Sequence, residues 1–159
     1  MVTTKESVIL SKKDTNIETT NLLHILVEGF MEAHPDFEDL ATGPLVNAIA
    51  GLKKDLMKHN HEARWRDPVD FMQELFVGLK EGHWVGRMHY ERLGSMGFKV
   101  FVDHCEAAQV IHARKIIGPV CPKILMVALM LKGEFPKLKL KVDYSAYTKE
   151  GAASEVLFK

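Results

Sequence analysis

The chain has 159 residues, 47% of them apolar, so it can bury a substantial core without disulfides or a structural metal. Lys+Arg and Asp+Glu balance at 21 each, which leaves no net field to draw the chain toward nucleic acid or an anionic membrane. Apolar stretches such as Ile124 to Leu131 fall far short of the roughly 18 to 20 residues that cross a bilayer, so no membrane insertion is expected. The opening MVTTKESVILSKKDTN has neither a signal-peptide core nor transit-peptide composition, and the expected compartment is the cytoplasm. In that reducing setting Cys105 and Cys121 are expected as thiols.

Residues 1–17 are polar apart from Val8, Ile9 and Leu10 and read as an arm or short edge strand. Residues 18–82 read as mainly helical. Thr19 or Thr20 caps a helix from Asn21 to Ala33, in which Leu22, Leu23, Leu26, Val27 and Phe30 form one apolar face opposite His24, Glu28 and Glu32. His34-Pro35 ends it, because a residue before proline is pushed out of the helical region. A second helix runs from Gly43 or Pro44 to His59, with Leu45, Ile49, Leu52 and Leu56 on one side. Asp67-Pro68 starts a third, whose buried stripe is Phe71, Met72, Leu75, Phe76 and Leu79 and which stops near Gly82.

The period then changes. Trp84 to Tyr90 and Phe98 to Val102 fit strands joined by a turn at Leu93 to Gly97. Residues 105–115 look helical, Gly118-Pro119 breaks the chain, and Pro122 opens a helix through Leu131 that is apolar on nearly every side and therefore buried. Lys137 to Tyr144 alternates, turning Leu138, Leu140, Val142 and Tyr144 inward. Lys149-Glu150-Gly151 marks a turn, and Glu155 to Phe158 returns as the closing strand. The sum is a single α+β domain: N-terminal helices packed on a C-terminal antiparallel sheet of about four strands with two inserted helices.

No phosphate-binding loop, dinucleotide fingerprint, serine nucleophile elbow or paired CxxC is present, and no catalytic residue stands out. The best metal-ligating group is His104, Cys105, His112 and Cys121, donors suited to zinc. Against it, Cys105 and His112 would lie about 10 Å apart along one helix face. Cys121, just before a helix-starting proline, is placed for a lowered thiol pKa and even haem ligation, but its ordinary reading is a small buried apolar residue. Asp103 and Glu106 flank His104 as though to orient a base, yet no nucleophile accompanies them. Lys132, Lys137, Lys139 and Lys141 read as a solvated sheet face rather than a nucleic-acid track, because no stacking aromatics interleave them. Trp84, Tyr90, Phe98, Phe101, Tyr144 and Phe158 are spread over the sheet, where they line a pocket against the helices or fill the core.

From Gly82 onward the features follow a distinctive order: Gly82-His83-Trp84 with Gly86, then FKVFVDHC, then Gly118-Pro119-Val120-Cys121-Pro122 opening an apolar helix, then VDYSAYTKEGAASEVLF. This order resembles the small-molecule-binding domain of the vinyl-reductase-like, or hydrocarbon-binding, family over roughly the C-terminal half. Where those domains often carry cysteines in the last strand pair, this chain has Ser145 and Ser154. The Tyr-Xaa-Ser-Xaa-Arg haem signature of related gas sensors is absent, since Tyr144 precedes Ser145 and Tyr147 precedes Thr148. The resemblance implies a homodimer holding an apolar or amphipathic ligand between helices and sheet, in a sensory or carrier role. Trp84, Met88, Tyr90, Phe101, His104, Cys105, Cys121 and Tyr144 are the expected lining, combining apolar bulk with a few polar handles. Two other classes compete: a metal- or haem-dependent enzyme using His104, Cys105, His112 or Cys121, and a scaffold that binds proteins through exposed helices.

Overall fold

The computed structural model describes residues 29–56, 65–81, 88–103, 117–118, 120–149 and 151–159, together with Leu22, Ile25 and Leu26. Leu22, Ile25, Leu26 and residues 29–33 are helical, and the helix closes with His34 N–H donating to the Phe30 carbonyl at 2.9 Å, just before Pro35. The short α1 (Phe37–Leu40) is capped by Asp36, whose carboxylate accepts from Glu38 N–H at 3.1 Å. Next come α2 (Gly43–Leu56) and α3 (Pro68–Glu81). Asp67 caps α3 as its sequence predicts, accepting from Val69 N–H at 2.7 Å. The expected stripe of α3 is buried at Phe71, Met72, Leu75 and Leu79 and half-buried at Phe76.

The sheet is antiparallel throughout. Its strands are β1 (Met88–Arg92), β2 (Gly97–Asp103), β3 (Ile117–Gly118), β4 (Leu140–Val142), β5 (Ser145–Tyr147) and β6 (Gly151–Phe158). The order is β1-β2-β6-β5-β3, with β4 also pairing to β6. Because β4 and β5 lie end to end along β6, six strands fill five positions, against about four expected. The extra one is β3, which at two residues is too short to leave a periodic signal. On the helix-facing side Phe98 sits opposite Val156, Val100 opposite Ser154 and Val102 opposite Ala152. Against this face packs α4 (Pro122–Glu134), sandwiched between the sheet and α2 and α3. As expected it is buried almost all round, through Ile124, Leu125, Val127, Ala128, Leu129, Met130 and Leu131.

Three strand expectations are corrected. The first strand of the hairpin continues to Arg92, two residues beyond Tyr90. The closing strand begins at Gly151 rather than Glu155, because Gly151-Ala152-Ala153-Ser154 is too small-residued to show alternation yet lies against β2 along its whole length. The strand expected over residues 137–144 starts only at Leu140, since 136–138 form a turn closed by Leu138 N–H on the Phe135 carbonyl at 2.9 Å. It also stops at Val142. Val142 pairs with Val156 and Ala146 with Ala153, so Asp143, Tyr144 and Ser145 face only Ser154 and Glu155. That one extra residue is a β-bulge, and it shifts the inward positions from even to odd numbers. Leu140 and Val142 point in before it, Ser145 and Tyr147 after it, and Tyr144, expected inward, is 54% exposed. The helix expected over residues 105–115, the arm at 1–17 and residues 84–87 lie outside the described residues. Among the described residues no helix is long and apolar enough to cross a membrane.

Polar clips join the helical layer to the sheet half. Glu38 on α1 accepts from Lys132 Nζ at 2.6 Å and from Leu140 N–H at 2.7 Å, while Lys132 also donates to the Leu138 carbonyl at 2.9 Å. Lys53 of α2 pairs with Glu134 at the end of α4, and Lys159 pairs with Asp36. Burial acts to raise the Glu38 pKa, but the bonds from Lys132 and Leu140 outweigh it and hold the carboxyl below its ordinary value. A folded-state value below the unfolded one means stability present above the ordinary glutamate pKa and lost as pH falls through the folded one. Chemical denaturation across pH 3 to 7 should therefore show Glu38→Gln less stable by about 1 to 2 kcal/mol at neutral pH. The gap should narrow as pH falls below the ordinary glutamate pKa and through the lower folded-state one; a gap independent of pH would contradict the carboxylate's role.

The hairpin turn supplies a second check. Gly97 has φ +140°, and a Cβ there would meet the Val156 carbonyl oxygen at 2.1 Å; Gly94 has φ +59° but open space around it. Gly97→Ala should cost more than about 2 kcal/mol in urea unfolding, and Gly94→Ala about 1 kcal/mol. Equal costs would mean that the strand approach at Gly97 is not tight.

Candidate functional site

The site is best built from the helix-facing side of the sheet edge. Strand β1 ends the sheet, and its alternation puts Met88 and Tyr90 on the same side as Val102 and Val100 of β2. An aromatic row starts there. Phe76 of α3 meets the Tyr90 ring edge-on at 4.8 Å, Tyr90 meets Phe98 at 5.6 Å, and Phe98 meets Phe158 of β6 at 5.6 Å. Phe98 is buried, whereas Phe76, Met88 and Tyr90 are half-buried. The row is therefore buried at its centre, Phe98, and half-buried at both ends, at Phe76 and Tyr90 by the β1 edge and at Phe158 on β6. Burial raises the Tyr90 phenol pKa, so at neutral pH the hydroxyl remains a neutral donor and acceptor set in apolar surroundings. Apolar bulk around one polar handle is the composition of a small-molecule contact surface.

A second polar group lies deeper, where α4 begins. Cys121 has extended φ and ψ of −56° and 127° and stands as the N-cap without a side-chain capping bond. Its N–H donates to Ser145 Oγ at 2.8 Å, and Ser145 Oγ lies 2.5 Å from Ser154 Oγ. All three residues are buried. The bulge is what turns Ser145 inward to reach the helix start. The serines bond each other and the main chain, an arrangement that joins α4 to β5 and β6; a nucleophilic serine instead needs a base beside it.

The opposite face of the sheet carries a separate cluster. The His89 ring stacks on Phe101 at 4.6 Å and 7°, its Nδ1 lies 3.1 Å from Asp103 Oδ2, and Lys99 Nζ stands 5.4 Å from the Phe101 centroid. Phe101 thus lies across the sheet from Tyr90. Of the expected lining, Met88 and Tyr90 come together at the β1 edge and Cys121 sits on the same side at the start of α4. Phe101 is on the other face, and Tyr144 is on the outward bulge. Trp84, His104, Cys105 and His112 lie outside the described residues. Among the described residues no three His, Cys, Asp or Glu side chains gather as metal ligands.

Sequence reasoning missed the roles of three residues. Phe76 belonged to the α3 stripe and was indistinguishable from core, and its position at the stripe's margin shows only once β1 is in place. Ser145 and Ser154 are nine residues apart in sequence and meet only because the bulge and the β5–β6 turn superpose them. That joint makes a prediction. Ser145→Ala removes the acceptor of a buried N–H and should cost about 1 to 3 kcal/mol. The double Ser145→Ala, Ser154→Ala variant should cost less than the sum of the singles, by about 0.5 kcal/mol or more in a denaturation cycle. Strict additivity would show that the two hydroxyls are not coupled.

No protein-family model, curated protein or solved structure matches this chain.

Proposed function

We propose that the protein is a cytoplasmic small-molecule-binding domain, homodimeric, that holds an apolar or amphipathic ligand at the β1 edge for a sensory or carrier role. The observation that carries the reading is the half-open aromatic row. Tyr90, Phe76 and Met88 sit together, half-buried, at the margin of the core, with one phenol among them. The order of motifs from Gly82 onward adds support, because the resemblance it carries is to domains of that use. Ligand is held by the apolar faces of Met88, Phe76 and Tyr90, and the Tyr90 hydroxyl orients it. Trp84, His104 and Cys105, also expected in the lining, lie outside the described residues.

Anilinonaphthalene sulfonate, an amphipathic fluorescent probe, tests this on the purified chain. Tyr90→Ala should weaken probe binding about tenfold or more, with a smaller fractional loss of unfolding free energy. Tyr90→Phe keeps the ring and should retain most of the affinity. If Tyr90→Ala lowers stability and binding in proportion, or leaves binding untouched, the row is core packing and the proposal fails.

A further inference from the structure

We propose that the molecule held at the β1 edge is an amphipathic organic anion, its acidic group taken by Arg92 and its apolar body lying on Tyr90, Phe76 and Met88. This rests on the binding site proposed above and names the chemistry of its ligand. Charge divides sharply on the elements that frame the row. Side chains alternate along β1, so Met88, Tyr90 and Arg92 share the row's side of the sheet while His89 and Glu91 stand on the other. On β2 the same side carries Phe98, Val100 and Val102, and Lys99 and Asp103 face away. At about 100° per residue along α3, Lys80 falls about 40° from Phe76, whereas Asp70 and Glu74 fall about 120° and 160° from it. Among the described side chains of these three elements, the row's side therefore holds two cations, Lys80 and Arg92, and no carboxylate.

Arg92 is the better placed of the two. It lies two residues beyond Tyr90, about 7 Å along the strand. Its Nε donates to the Gly94 carbonyl at 3.0 Å, which anchors the guanidinium at the hairpin end of the row. That bond leaves the terminal Nη groups, and among the described residues no carboxylate pairs with them. A guanidinium held by one nitrogen still offers donors in a fixed plane, which suits the oxygens of an acidic group. A cationic ligand would meet two like charges beside the row, and a neutral one would leave the anchored guanidinium unused.

Two fluorescent probes of one ring system separate charge from shape: anilinonaphthalene sulfonate carries an acidic group, and N-phenylnaphthylamine is its uncharged parent. In titrations of the full chain, Arg92→Gln should weaken sulfonate binding about tenfold and change N-phenylnaphthylamine binding less than about twofold. Arg92→Lys keeps the charge but loses the fork, so its sulfonate affinity should fall between those of the wild type and Arg92→Gln; it also serves as the second variant if Arg92→Gln fails to fold. Salt should weaken the sulfonate on the wild type more than on Arg92→Gln. If Arg92→Gln weakens both probes alike, or neither, while Tyr90→Ala weakens both, the anion assignment is overturned and the binding site stands. A wild type that binds neither probe, or a Tyr90→Ala variant that binds both unchanged, overturns the site and the assignment together.

Discussion

Helix α4 has no polar side to turn toward water, and the architecture follows from that. Burying its seven apolar side chains, Ile124, Leu125 and Val127 to Leu131, is worth roughly 10 to 15 kcal/mol against an extended chain, an upper bound. One layer cannot cover a helix on all sides. The sheet closes one flank through Phe98, Val100, Val102 and Val156, and the helical layer closes the other through the α3 stripe and the half-buried Leu45, Val46, Ile49 and Leu52 of α2. The polar clips from Glu38 and Lys53 sit at the far end of α4, around Lys132 and Glu134, where the helix meets solvent. They set the register of the layers, while apolar burial supplies most of the stabilisation.

The other end of α4 is tied by different means. The Cys121 N–H at its N-cap is taken by Ser145 only because a single extra residue in the β4–β5 segment inverts the parity of the strand. Without the bulge, Tyr144 would point inward beside the start of the helix and Ser145 outward. The bulge thus exchanges a large aromatic for a small hydroxyl at a place where α4 and β6 approach closely. It also turns Tyr144 outward, where it is exposed, and so leaves it out of the aromatic row at the β1 edge.

Much of the fold was legible in the sequence because its signals are local. The 3.6-residue spacing of Phe71, Met72, Leu75 and Leu79, the Asp67-Pro68 start, the Gly94 and Gly97 turn and the all-apolar α4 each act within a few residues. What was not legible depends on pairing. A bulge is defined by the opposite strand, so LKLKVDY reads as unbroken alternation, and only the offset between Val142–Val156 and Ala146–Ala153 reveals the break. The small-residue start of β6 is silent for the same reason. The candidate site was legible in part: Met88 and Tyr90 share a side by simple alternation, but Phe101 shares their hairpin and not their face, and Phe76 joins them only through tertiary packing. The first helix shows a further limit. Periodicity finds an apolar face at Leu22, Leu26 and Phe30 but does not say whether it meets the core, and here Met31 takes that role.

The central claim is that the half-open row at the β1 edge holds a small organic molecule. Native mass spectrometry of the purified chain, followed by denaturation of the same sample, tests it most directly. The account predicts a reproducible added mass that leaves as an organic compound on denaturation and is reduced in Tyr90→Ala. A bare chain mass in repeated preparations, joined to failure of amphipathic compounds to add to it, would contradict the claim and return Phe76, Met88 and Tyr90 to the margin of an ordinary core.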